Sequence, residues 1–149
     1  MPLADALMHP LHRRQPYRAT SLAELSAALA EIVADAMDGM LNFQGGLSLA
    51  NRLLITNHMN EHRLPAIYQA TLFAEAGGLM AWAPDLVEQY REAARSVDKI
   101  LNGASAGDLP IKHPAKYFLT LNANAARKIG LVLPPGLVQQ ATRVLSDVH

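Results

Sequence analysis

RLPAIYQATLFAEAGGLMAWAPDLVEQYREAARSVDKILNGASAGDLP, residues Arg63–Pro110, is the stretch whose reading decides the fold. Leu64–Tyr68 is apolar apart from the tyrosine hydroxyl and short enough for a buried strand. Thr71–Ala76 is a brief segment leading to Gly77-Gly78, where the chain changes direction and positive φ is tolerated. Leu79–Trp82 reads as a second strand, and Pro84 as the first residue of a helix, where a missing N–H is harmless. Leu86, Tyr90, Ala93, Ala94, Val97 and Leu101 recur every three or four residues, so that helix has one apolar face; Asn102-Gly103 ends it.

The same pattern extends to both sides. Ser21-Leu22-Ala23-Glu24 is a capping box, opening a helix to about Ala36 with Leu22, Leu25, Leu29, Ile32 and Val33 on one stripe. Gly39–Phe43 is a short strand and Gln44-Gly45-Gly46 a turn. Ser48 is expected to cap a second helix through about His62, with Leu49, Leu53, Ile55 and Met59 inward. Strand, helix and strand in this order give a parallel βαβ unit. On the other side, Ala104–Pro114 is a loop and Lys116–Leu121 a strand. Asn122 caps a helix over Ala123–Ile129 that Gly130 stops, and a final helix carries Leu137, Val138, Ala141, Val144 and Leu145. The alternation predicts an α/β fold, a mostly parallel sheet flanked by helices, over residues 21–149. Pro2, Pro10 and Pro16 break regular structure in residues 1–20, which are expected to be loosely structured.

Composition narrows the function classes. The 149 residues carry zero net charge and are 50% hydrophobic, so the chain has a core and no general attraction to nucleic acid or anionic membrane. Cysteine is absent, which removes disulfides, thiolate chemistry and Cys-based zinc sites. No apolar run approaches the ~18 residues of a membrane span. The first residues lack the ordered charge, apolar core and cleavage site of an export signal.

Candidate chemistry is sparse. His58-Met59-Asn60-Glu61-His62 spells H-x-x-E-H; two histidines four apart share a helix face and can hold one metal. A small metallohydrolase on this word needs Glu61 as base and a further ligand such as Glu75, Glu88 or Glu92. The competing reading is a solvated helix end, whose negative pole suits histidine. No serine lies in a G-x-S-x-G elbow, and Gln44-Gly45-Gly46 lacks both the dinucleotide and the P-loop patterns, although its amides can face an anion. No catalytic machinery and no cofactor is expected. In open α/β sheets ligands bind outside the carboxyl ends of the strands. Those ends carry Asn42, Phe43, Gln44 and Gly45, then Tyr68 and Gln69, then Trp82. The amides can orient a small molecule and the aromatic rings can cover its apolar part, although aromatic residues at strand ends also serve as core or rim.

The joined words HRLPAIY (His62–Tyr68), FAEAGGLM (Phe73–Met80), PDLVEQYREAARSVDKILNGASAGDLP (Pro84–Pro110) and the tail from Lys116 resemble the substrate-binding component of ABC importers, in the group related to tryptophan- and tyrosine-type systems. The resemblance implies a type I periplasmic binding protein, in which two α/β lobes close on an amino acid or aromatic acid and deliver it to a permease in the periplasm. It implies no catalysis. It covers the carboxyl-terminal half of such a protein: Ser21 to about Met80 within the second lobe, the helix from Pro84 in the crossing to the first lobe, and the tail back in the second. Where the family often has an aspartate for the ligand's amino group, this chain has Gly45 and no carboxylate, and the family's Ser-Tyr-Gly reads Ala81-Trp82-Ala83. The resemblance therefore implies a half-length solute-binding module with weak binding or none, since a buried ammonium without an anionic partner is costly. A lobe without its counterpart leaves apolar surface that a homodimer would cover, so a dimerising interaction module is the alternative.

Overall fold

A computed structural model describes residues 15–146. The chain divides into two compact units, one running through Ala36 and the other starting at Met37.

In the first unit, Ser21 is extended and its Oγ accepts from the Glu24 amide at 3.2 Å, opening helix α1 (Leu22–Ala34). The Glu24 carboxylate reaches past the cap to accept from the Thr20 amide and hydroxyl at 2.7 and 2.8 Å. These bonds, the Thr20 amide first, hold Glu24 below the ordinary carboxylate range. Leu25, Ala28, Leu29 and Ile32 are buried, whereas Leu22 at the helix start is exposed. Tyr17 donates to Asp35 at 2.6 Å, tying the residues before α1 to its carboxyl end. Of the segment expected to be loose, residues 1–14 lie outside the described ones.

The second unit is built on a five-stranded sheet whose spatial order equals its chain order. Its elements are β1 (Met40–Asn42), α2 (Gly46–Ala50), α3 (Arg52–Glu61), β2 (Ala66–Tyr68), α4 (Thr71–Glu75) and β3 (Met80–Pro84). After these come α5 (Leu86–Leu101), a 3-10 turn at Ala106–Asp108, β4 (Tyr117–Asn122), α6 (Ala123–Lys128), α7 (Pro135–Gln140) and β5 (Arg143–Leu145). β1, β2 and β3 are parallel neighbours; β4 runs antiparallel to β3, and β5 parallel to β4. The α/β class and the mostly parallel sheet follow as the sequence implies.

Four local expectations change. Thr71–Glu75 is a helix, packed on β2, β3 and β4. Pro84 ends β3 opposite Tyr117, and Asp85 caps α5 by accepting from the Glu88 amide at 3.1 Å. The ladder that continues past Pro84, with the Asp85 amide donating to Lys116 O at 3.0 Å, delays the helix. Ser48 is not a cap: it lies inside α2 and accepts from the Gly45 amide, while the helix breaks at Asn51. Val144 and Leu145 leave the expected terminal helix for β5, pairing with Leu121 and Asn122. The free edge of β4 offers backbone partners that periodicity cannot register.

The core centres on the turn after α4. Tyr68 is 1% exposed and stacks on Phe73 at 4.7 Å between ring centroids. A Cβ on Gly78 would sit 2.6 Å from the Tyr68 ring and 2.8 Å from Phe73 O, so only glycine lets the chain pass. A helix leaves its last carbonyls without partners. Here the amides of Ala76, Gly78 and Gly77 take the carbonyls of Leu72, Phe73 and Ala74, and side chains serve the turn: Asn122 also donates to Ala74 O at 2.9 Å, Thr56 to Ala76 O at 3.0 Å and Asn60 to Gly77 O at 2.8 Å. Asn122 also accepts from the Ala125 amide at 2.9 Å and so caps α6. Its expected capping role is one of two.

Helix α5 is the opposite case, since none of its residues is buried. Its Asp85–Glu88–Glu92–Ser96 side lines a groove of about 540 Å³ against residues 110–116, where Glu92 pairs with Lys112. The large residues of its apolar stripe are exposed, and Ala93 of the stripe also lines the groove.

Candidate functional site

The register of the parallel strands sets Asn42 beside Tyr68 and Tyr68 beside Ala81, so the carboxyl ends of β1, β2 and β3 lie level. Cα partners in a ladder point to one face, so Asn42 and Tyr68 share it. The next residue along β3 points to the other face, and that residue is Trp82. The expected aromatic cover is therefore divided. Tyr68 is core on one side of the sheet, while Trp82, 38% exposed, stacks on Tyr117 at 5.9 Å on the other. Tyr117 is a neighbour the sequence reading missed. It meets Trp82 diagonally across the β3–β4 ladder, and only the antiparallel register reveals that.

The loops after β1 and β2 are tied together, because the Gln44 amide donates to Gln69 Oε1 at 3.3 Å. The Gly45 amide donates to Ser48 Oγ at 3.0 Å. Two amides of the Gln44-Gly45-Gly46 turn thus already have protein acceptors, which removes much of the expected anion cradle. Phe43, 68% exposed, stands at the rim of the same end.

Two buried polar atoms at these strand ends have no hydrogen-bond partner among the described residues: Asn42 Oδ1 and the Tyr68 hydroxyl. A buried polar atom left without a partner costs about 1–3 kcal/mol, so an unmatched pair in register calls for a ligand or solvent group. Burial pushes the Tyr68 phenol far above its ordinary value, so it stays protonated. No carboxylate stands among Asn42, Phe43, Gln44, Gly45, Tyr68, Gln69 and Trp82.

The His58 and His62 rings lie 4.5 Å apart between centroids near the carboxyl end of α3. The carboxylates suggested as a further ligand are engaged elsewhere: Glu75 with Arg143, Glu88 with Arg91 and Arg95, Glu92 with Arg95 and Lys112. No group of three or more potential metal-holding side chains is present among the described residues. Among the described residues no helix is long and apolar enough to cross a membrane.

A helix-flanked, mostly parallel sheet with its open strand ends side by side is the lobe architecture of periplasmic binding proteins. The family described as ABC transporter substrate binding protein matches residues 15–145, and the chain belongs to that family, a substrate-binding and non-enzymatic class. Among solved structures it is similar to a conserved domain protein of Vibrio cholerae O1 biovar El Tor, at 22% identity and a TM-score of 0.77, over 85% of this chain and 43% of that one. It is also similar to an ABC domain of Streptococcus pneumoniae in complex with L-Trp, at 17% identity and a TM-score of 0.77, over 88% of this chain and 45% of that one. A third, a ligand-free, open substrate binding protein with adhesive properties from Clostridium difficile, matches at 18% identity and a TM-score of 0.62, over 87% of this chain and 43% of that one. The chain thus spans less than half the length of each of these structures. No curated protein matches it.

Proposed function

We propose that the chain is a solute-binding module of an ABC import system. It takes a small molecule of the amino-acid or aromatic-acid class at the carboxyl ends of β1–β3, for delivery to a permease. The observation that carries this reading is the pair of unmatched buried polar atoms, Asn42 Oδ1 and the Tyr68 hydroxyl, on residues that are partners in the β1–β2 register at the strand ends where parallel sheets take ligands. Gln69 and Gln44 hold the loop above them, and Phe43 and Trp82 offer apolar surface at the rim. Family membership supports the class of activity, and the Streptococcus pneumoniae neighbour, crystallised with L-Trp, supports an aromatic amino acid as the first ligand to try. The absence of a carboxylate at the strand ends favours weak binding of a ligand with an ammonium group.

The test is a thermal melt with and without a panel of amino acids and small aromatic acids. A ligand at 100 times its Kd adds about 2.7 kcal/mol, a clear shift for a domain of this size. The expected result is a shift with one chemical class that is lost in Asn42→Ala. A cooperative melt that no member of the panel moves would sink the reading.

A further inference from the structure

The two histidines of α3 sit at the end of the sheet opposite the candidate site. α3 ends at Glu61 and β2 begins at Ala66, so the last turn of the helix lies near the amino end of that strand. That turn is closed rather than frayed. The His62 amide donates to His58 O at 3.2 Å, the Arg63 amide to Asn60 O at 3.2 Å and the Leu64 amide to Met59 O at 2.8 Å. The last two bonds, with Arg63 at a φ of +55°, make the Schellman ending of a helix. Between the histidines, Met59 is buried and Asn60 is held to Gly77 O at 2.8 Å. The backbone under both rings is therefore fixed by the core. The rings themselves lie 4.5 Å apart between centroids, tilted by 50°.

We infer that His58 and His62 form a two-ligand site for a late first-row divalent cation. Two imidazoles one helical turn apart on one face can each give a ring nitrogen to the same ion. Imidazole suits copper, nickel and zinc, and at a given site the divalent order puts Cu(II) above Ni(II) and Zn(II). Cu(II) is therefore the tightest of the three here. The chain has no cysteine, so no thiolate competes for the ion. The negative pole at the carboxyl end of α3 favours a cation at the same turn. Glu75, Glu88 and Glu92 are held in ion pairs, so the site is a two-imidazole clamp and not the centre of a hydrolase. An ion bound there braces the turn of α3 whose Asn60 holds the chain after α4, so it stabilises the folded unit. Both ligands must be neutral, so the ion leaves in acid. The inference concerns the opposite end of the sheet from the strand-end site and is independent of the ligand reading.

Isothermal titration of the full chain with Cu(II), Ni(II) and Zn(II) chlorides at neutral pH tests this, together with the electron paramagnetic resonance spectrum of the Cu(II)-loaded chain. The titration should show a site that is tightest for Cu(II). His58→Ala and His62→Ala should each weaken it by at least the ~10-fold that even an outer partner of a metal ligand is worth. His113→Ala, a histidine outside α3, should leave it unchanged. The spectrum should show coupling to two ring nitrogens, and the ion should raise the melting temperature of the unaltered chain but not of the two α3 variants. A titration indifferent to both α3 substitutions overturns the inference. So does one in which only a single histidine of the pair matters, or a spectrum with one coupled nitrogen. His62 is exposed and His58 half-buried, and circular dichroism of each variant confirms that folded chains are compared. The spectrum of the unaltered chain needs no variant at all.

Discussion

The turn after α4 and helix α5 are separated by a single strand, yet they solve the same problem in opposite ways. A chain segment with unsatisfied groups can turn to its own domain or leave them for something else. At the turn, three buried side chains from two regions of the chain, Thr56 and Asn60 of α3 and Asn122 at the end of β4, donate to the carbonyls of Ala76, Gly77 and Ala74. Glycine at 78 is required because the neighbours already fill the space. At α5 the large apolar side chains stay exposed, while Glu88, Arg91, Glu92 and Arg95 pair among themselves and Glu92 also with Lys112. The first region is covered within its own unit, and the second leaves large apolar side chains exposed. A residue's contribution to stability therefore depends on which kind of region holds it, more than on how hydrophobic it is.

Substitutions can break this contrast. Asn122→Ala should have the largest effect, because it removes the α6 cap together with one of the two donors to Ala74 O, whose other donor is the Gly77 amide; about 2–3 kcal/mol of unfolding free energy should be lost. Urea unfolding reads it directly, and a loss under ~1 kcal/mol would mean that the turn is not the keystone described here. Gly78→Ala comes next. Its methyl has to displace a buried ring and a backbone carbonyl, which costs roughly 1–3 kcal/mol in a packed core. A neutral result by the same measurement would show that the stack of Tyr68 on Phe73 shifts easily. Val97→Ser should change stability by no more than ~0.5 kcal/mol, as is usual for exposed sites. A larger loss there would show that the α5 stripe is covered within one molecule after all.

Much of the second unit was legible from pattern alone. Asn122 before Ala123–Ile129 predicted a cap, and the structure places its oxygen on the Ala125 amide. Asn102-Gly103 predicted the end of α5, where Gly103 takes a φ of +96°. These are local signals, carried by residues within one turn of each other. The misread places share a different property. β5 exists because the edge of β4 is free, Pro84 stays in a strand because Tyr117 pairs with it, and Ser48 is not a cap because Gly45 takes that place. Each depends on a partner far away in the chain or on the exact residue where a turn becomes a helix.

The candidate site divides in the same way. That Asn42, Tyr68 and Trp82 stand at the ends of strands was readable from alternating elements, because chain order in a parallel sheet fixes which ends come together. That Asn42 and Tyr68 share a face while Trp82 turns to the other and meets Tyr117 was not, because it needs the pairing register of strands brought together only by folding. The sequence by itself determined most of the elements, their order, the family and the amphipathic stripe of α5. Only the tertiary structure decided which polar atoms go unmatched and that the stripe faces solvent. Periodicity fixes the faces of an element within itself, whereas coverage depends on what the rest of the fold places against them.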